Sequence, residues 1–236
     1  MGELLARQPC DILFNLCQYG RGDVWAWGAE VGGHTWRTTD DVGWAGRTND
    51  LPGFYAVALS NTWLHEHAGP GRWNDPDYIL IGWYGDARKE RVARATDLTP
   101  AEQCSYMSLW ALMAALLFFS GDMEKLDDLT LDVLCNGEIL AIDQDALGRQ
   151  ARIVCRTPTE LVLAKPLEDG SLAVGVFAFG PVPQTVRVEW AGLGLVGRYR
   201  VRDCWRQRDL GEHDTGWSAD LPRHGSAVWR LSPVGG

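Results

Sequence analysis

Hydrophobic and polar positions follow two different rhythms along this chain, and the change falls near residue 150. In the first stretch, short apolar runs alternate with longer segments at helical spacing. Residues 2–8 read as the end of a helix, and residues 11–17 (Asp-Ile-Leu-Phe-Asn-Leu-Cys) as a nearly continuous apolar strand of the kind buried on both faces. Gln18-Tyr19-Gly20 then turns the chain outward. Residues 34–38 form a second short strand, and residues 51–65 carry Phe54, Ala58 and Leu59 at helical spacing with Trp63 close to the same stripe. Gly69-Pro70-Gly71 breaks the chain before a strand over residues 73–81, whose interior Asn74-Asp75-Pro76-Asp77 is a polar island that a buried strand carries only if it has a use for it. Thr99-Pro100-Ala101-Glu102 combines a capping threonine, a first-turn proline and a glutamate three residues after the cap, so a helix runs from there to about Ala114. A fourth strand over residues 116–120 and a helix pair between residues 127 and 145 complete the stretch.

Beyond Gly148 the segments at residues 153–155, 161–165, 172–179, 185–190, 199–203 and 227–231 are short, β-prone and separated by Gly, Pro and charged turns. That texture is a small antiparallel sandwich. The expected division is therefore residues 1–150 and residues 151–236. A complete (β/α)8 barrel takes roughly 250 residues, or about 30 per strand–helix unit. The first 150 residues hold four such units. The expected fold class is thus α/β plus all-β, the C-terminal half of a (β/α)8 TIM barrel followed by an antiparallel β-sandwich.

Composition narrows the function. A formal charge of −9 with scattered basic residues argues against nucleic acid as a partner. Twelve tryptophans against six phenylalanines give mild support to a carbohydrate site, since an indole offers a flat apolar face with a polar edge. Cysteines at 10, 17, 104, 135, 155 and 204 form no CxxC pair, so no structural zinc or disulfide framework is expected, and the thiols are read as reduced and mostly buried. The longest apolar run, residues 109–119, is about half a membrane span. Residues 1–7 lack the charged-then-apolar pattern of a signal peptide.

The candidate chemistry lies in Gly-Gly-His-Thr-Trp-Arg-Thr-Thr-Asp-Asp, residues 32–41. A strand that ends in Arg37 delivers Asp40 and Asp41 into a turn, the place where a barrel strand carries its chemistry. Arg37 offers a fixed fork of donors to sugar hydroxyls, and a neighbouring carboxyl can protonate a leaving oxygen. Taken alone, the same ten residues also describe a solvated Asp-Asp turn with a salt-bridged arginine. Other polar clusters read as structural: His65-Glu66-His67 as a solvated helix cap rather than a metal site, His34 as a hydrogen-bonded core histidine, residues 122–128 as an exposed charged turn, and residues 180–183 as a turn.

Cys17 with its strand, Trp36-Arg37-Thr38-Thr39-Asp40-Asp41, Gly69-Pro70-Gly71-Arg72-Trp73-Asn74-Asp75-Pro76-Asp77, Trp110-Ala111-Leu112 and Ile142-Asp143-Gln144-Asp145-Ala146-Leu147-Gly148 resemble, in order, motifs of glycoside hydrolase family 27, the α-galactosidase (melibiase) family. The resemblance covers about residues 10–150, and the β-rich tail is similar to that family's C-terminal domain. It implies a retaining double displacement by two aspartates on terminal α-linked galactose. It makes Asp41 the acid/base, Asp40 a solvated neighbour, Arg37 a contact to a sugar hydroxyl, and Asp77 a wall of the glycon pocket. It implies no cofactor and no metal.

Two departures qualify the resemblance. The family nucleophile lies in a Lys-x-Asp-like motif at the end of the fourth strand, and residues 1–11 contain none, so this chain by itself is expected to lack the glycosyl-enzyme step. The family's usual Cys-Glu-Trp is here Cys17-Gln18-Tyr19, so Gln18 would read the 2-hydroxyl without a charge. That leaves β-L-arabinopyranosides, α-N-acetylgalactosaminides and isomalto-dextrans open as substrates, with residues 20–33, including Trp25 and Trp27, shaping the aglycone side. A non-catalytic carbohydrate-binding half-barrel is the alternative from another class. The expected partners are the α-galactoside or related oligosaccharide and either a second copy of the chain or a complementary N-terminal half-barrel; a membrane is not among them.

Overall fold

The protein is described by a computed structural model covering residues 1–42, 51–85 and 93–235. A one-turn helix α1 (Gly2–Leu5) precedes β1 (Asn15–Leu16), α2 (Val24–Trp27) and β2 (Thr35–Arg37). Helix α3 (Gly53–Asn61) and a 3-10 turn (Thr62–His67) return the chain to β3 (Trp73–Asp75). The three strands form a parallel sheet in the order β1-β2-β3, with Leu16 beside Trp36 and Arg37 beside Asp75. Strand–helix–parallel strand repetition is the barrel pattern. The sheet extends one step further: Ile79 pairs in parallel with Phe119, where Ile79 N–H donates to Phe118 O and Ser120 N–H to Ile79 O.

The expected strand over 73–81 therefore stops at Asp75, because Pro76 has no N–H to give a ladder and Asp77 turns the backbone to φ 95°. The expected fourth strand over 116–120 is likewise reduced to that single bridge. The strand expected over 11–17 is only two residues long, and it is not buried on both faces. Ile12 is 37% and Leu13 59% exposed, since β1 has one hydrogen-bonded neighbour among the described residues and nothing there covers its outer side.

A hairpin, β4 (Trp83–Gly85) and β5 (Ala93–Ala95), leads into α4 (Pro100–Leu112). This helix starts where its capping box sets it: Thr99 Oγ1 accepts from Glu102 N–H, and Glu102 Oε2 accepts from Thr99 N–H at 2.8 Å. Helices α5 (Asp128–Leu134) and α6 (Gly137–Asp143) are the expected pair, capped by Asp127 and Asn136. Then come β6 (Arg152–Arg156), β7 (Glu160–Pro166), β8 (Leu172–Ala178), β9 (Gln184–Glu189), the short α7 (Trp190–Leu193), β10 (Tyr199–Asp203), β11 (Arg208–His213), β12 (Gly216–Leu221) and β13 (Ser226–Pro233). Six strands make one antiparallel sheet, β11-β10-β13-β8-β7-β6, and β9 and β12 form a ribbon against it.

Strand β7 shows why this sheet is apolar on both sides. Leu161 and Leu163 join the core formed by α3 and α4 with Tyr55, Tyr106 and Trp110, whereas Val162 and Ala164 join the sandwich core of Val174, Val186, Val188 and Trp229. The six-stranded sheet is thus the middle layer between α4 and the ribbon. Three side-chain expectations are corrected here. Trp63 is 60% exposed, because the helical stripe ends at Asn61 and the 3-10 turn rotates it away from Phe54 and Ala58. Cys10, Cys17 and Cys135 are exposed, so the free thiols are not mostly buried. His34 is exposed at the strand edge rather than in the core, though its Nδ1 accepts from Phe14 N–H at 3.0 Å.

Candidate active site

Parallel strands β1, β2 and β3 place their C-terminal ends side by side, and polar residues along them are tied across all three. Asn15 of β1 donates through Nδ2 to Thr35 Oγ1 of β2 at 2.5 Å and to Asp75 Oδ2 of β3 at 2.9 Å. The other oxygen of Asp75 accepts from Asp77 N–H at 2.8 Å, and Thr38 N–H donates to Asp75 O at 3.0 Å. Asp77 follows with its left-handed backbone, and its carbonyl accepts the Trp110 indole N–H at 2.7 Å from α4. The turn after β3 is therefore held from the sheet side and the helix side together.

Arg37 is the hub. Its Nη2 lies 3.1 Å from Asp77 Oδ2 and 3.2 Å from Asp41 Oδ1, and its guanidinium stands 5.4 Å over the Tyr19 ring. Asp77 Oδ2 also accepts Val42 N–H at 2.8 Å. Burial pushes the Asp77 carboxyl above the usual aspartate range, although Val42 N–H and the Arg37 charge pull the other way. The Tyr19 phenol is raised by its hydrogen bond with Cys17 and by the Cys17 and Asp41 charges. Among the described residues, four buried side-chain polar atoms have no protein partner, and two of them lie in this cluster: Arg37 Nε, a donor, and Asp77 Oδ1, an acceptor. Such atoms are costly unless something pairs with them. A polyhydroxylated ligand presents the required complement, a hydroxyl that accepts and one that donates.

Of the four residues singled out in the sequence, Arg37, Asp41 and Asp77 come together. Asp41 is partly exposed (23%), whereas Arg37 and Asp77 are buried, and Asp40 faces solvent. Gln18 lies at the same end of the sheet but is exposed, and no side-chain hydrogen bond links it to the cluster. Sequence reasoning did not single out Asn15, Tyr19 and Asp75. The lone amide inside the apolar run 11–17 was the signal for Asn15, the polar island was the signal for Asp75, and the place of Tyr19 in Cys17-Gln18-Tyr19 was the signal for Tyr19. No group of three or more His, Cys, Asp or Glu side chains suited to a metal occurs among the described residues.

Parallel strand–helix units with carboxylates and an arginine at the strands' C-terminal ends, backed by an antiparallel sandwich, define a portion of a glycoside-hydrolase barrel with its accessory domain. A family model described as Alpha galactosidase A matches residues 30–145, and one described as Alpha galactosidase C-terminal beta sandwich domain matches residues 160–231. The chain is 33% identical to Alpha-galactosidase 3 of Arabidopsis thaliana, over 99% of its own length and 51% of that protein's. It is 32% identical to the Alpha-galactosidase of Cyamopsis tetragonoloba, over 99% and 53%. Among solved structures, the GH27 β-L-arabinopyranosidase of Geobacillus stearothermophilus superimposes with a TM-score of 0.88 at 27% identity, over 100% of this chain and 53% of that one. The chain belongs to glycoside hydrolase family 27, the α-galactosidase family, as its C-terminal portion, and spans about half the length of the relatives it matches.

Proposed function

We propose that this chain supplies the acid/base half of a retaining α-glycosidase that removes terminal α-linked galactose. The observation that carries the reading is the single Arg37 nitrogen shared by Asp41 and Asp77 at adjacent strand ends. In this reading Asp41, the more exposed carboxyl, protonates the departing glycosidic oxygen and then takes a proton from water. Arg37 and Asp77 hold the sugar through Arg37 Nε and Asp77 Oδ1, and Gln18 reaches it from the β1 loop. Asp77 is assigned to sugar binding, with its Oδ2 anchored by Val42 N–H and Arg37. A retaining pair needs a second carboxylate about 5–5.5 Å from the first, and that group comes from a complementary N-terminal half-barrel.

The test is hydrolysis of nitrophenyl α-galactoside by the chain alone, by the chain with a family N-terminal half, and by the Asp41→Asn variant with that half. Turnover is expected only in the second mixture, with a loss of about 10²–10⁴-fold in the third. Turnover by the chain alone that survives Asp41→Asn would reject both assignments. A second glycon has one observation in its favour. Gln18 stands where family α-galactosidases usually carry glutamate, so β-L-arabinopyranoside belongs in the same assay, and a higher kcat/KM on it would replace galactose as the assigned sugar.

A further inference from the structure

We propose that the cleft between α3 and the sandwich is a second carbohydrate site, which takes a neutral hexopyranose unit of an oligosaccharide. The cleft has a volume of about 580 Å³ and is lined by Leu51, Leu59, Trp63, Arg156, Thr157 and Phe179 among others. That volume falls in the range of small-ligand sites. Trp63 follows the C-terminal end of α3 and precedes β3, so it lies toward the start of the strands, at the opposite end from Arg37, Asp41 and Asp77. The two sites are separate.

Three features of the cleft point to a sugar. Trp63 keeps 60% of its surface exposed in a concave setting, and among the described residues its indole N–H has no protein partner. The Arg156 guanidinium stands 5.8 Å over that indole. No carboxylate pairs with Arg156, Arg152 or Arg208 among the described residues, whereas Arg187, Arg198, Arg200, Arg202, Arg206 and Arg230 of the same sandwich each pair with at least one. Its donors are unspent beside a flat apolar face. A pyranose meets that arrangement with its C–H face on the indole and its hydroxyls toward the guanidinium. A polyanion fits less well, because Arg156 is the one cation in the lining and the chain carries a net charge of −9. Such a site would hold the remote part of a long substrate, or a neighbouring chain of it, while a terminal residue is processed at the other end of the barrel.

The choice of a galactosyl probe rests on the function proposed above; the site itself does not. Raffinose is titrated into ¹⁵N-labelled full chain while the indole N–H signals are followed. The Trp63 signal is expected to move at millimolar raffinose, with Trp63→Ala and Arg156→Gln each weakening the association about fivefold or more. Asp41→Asn should leave that shift unchanged. If Asp41→Asn abolishes it, the cleft is not an independent site and the proposal fails. It also fails if the Trp63 signal stays still up to about 20 mM raffinose, or if inorganic phosphate moves it and raffinose does not, which would make the cleft an anion site. Failure of the hydrolysis assay with a moving Trp63 signal would overturn the active-site reading and leave this one standing.

Discussion

Asp77 holds a left-handed backbone at φ 95°, which costs a residue with a side chain roughly 1–3 kcal/mol, and Asp75 supplies the contact that offsets it. One Asp75 oxygen caps Asp77 N–H and the other takes the Asn15 amide, so the carboxylate joins β1, β3 and the turn. Asp75→Ala removes both acceptors, and a loss of about 2–3 kcal/mol in urea unfolding is expected. Asp75→Asn keeps one oxygen but turns an N–H toward a second donor, so about half that loss is expected. A change below about 0.5 kcal/mol for the alanine variant would mean that the Trp110, Val42 and Arg37 contacts of Asp77 fix the turn without Asp75. At this scale the sequence was legible where chemistry sits at a strand end, which placed Arg37, Asp41 and Asp77 together. The orientation of Gln18 was not legible. Next to Tyr19 and Gly20, both at positive φ, its direction depends on a turn rather than on strand alternation, and it ends exposed.

Elements were legible in proportion to how local their causes are. The start of α4 depends on Thr99, Pro100 and Glu102, all within four residues, and the structure places it there. Strands β11 and β12 were missed because Arg208–His213 and Gly216–Leu221 are polar segments that owe their strand form to their partners β10 and β9. The α4 cap also separates a local role from a long-range one. Thr99→Ala should cost about 1 kcal/mol, an ordinary N-cap loss. Glu102→Ala should cost about 3 kcal/mol, because Glu102 Oε1 also meets buried His224 Nδ1 at 2.8 Å, from the turn before β13. Burial alone would raise the Glu102 carboxyl, but its hydrogen bonds with His224 and Thr99 outweigh that and leave it lowered. A lowered acid contributes stability above its unfolded value of 4.5 that is lost as pH falls through the folded one. The wild-type advantage over Glu102→Gln should therefore shrink on acidification below about pH 4.5 in urea melts; an advantage that grows there would contradict the assignment.

The barrel half and the sandwich share one core, and a lysine crosses between them. Lys165 of β7 is fully buried and donates through Nζ to Ala111 O at the end of α4 and to Ile142 O and Asp143 O at the end of α6, where helix carbonyls favour a cation. Burial lowers Lys165 to about 8 and raises its neighbour Asp143 to about 7, each charge partly restoring the other. The two signs are opposite. Asp143 loses its contribution as pH rises through about 7, and Lys165 loses its contribution as pH falls through about 8. Compared with Asp143→Asn/Lys165→Met, in which neither group titrates, the wild type should be relatively least stable between about pH 7 and 8 and should gain toward both pH 5 and pH 10. A flat difference across that range would mean that the pair is not buried in solution. The outer edge of the parallel sheet leads to a different expectation. Beside β1, Leu13 is 59% and Ile12 37% exposed, and Phe118 at the other flank is 45% exposed. Strand edges with apolar neighbours recruit another chain. Light scattering at about 50 µM should give a mass above the 26.2 kDa of one chain, rising with salt as the net charge of −9 is screened. Leu13→Lys should return it toward one chain, and so should adding a family N-terminal half if the same edge is where that half docks. A monomer in high salt would count against both the self-association and the docking edge, because one exposed edge underlies the two.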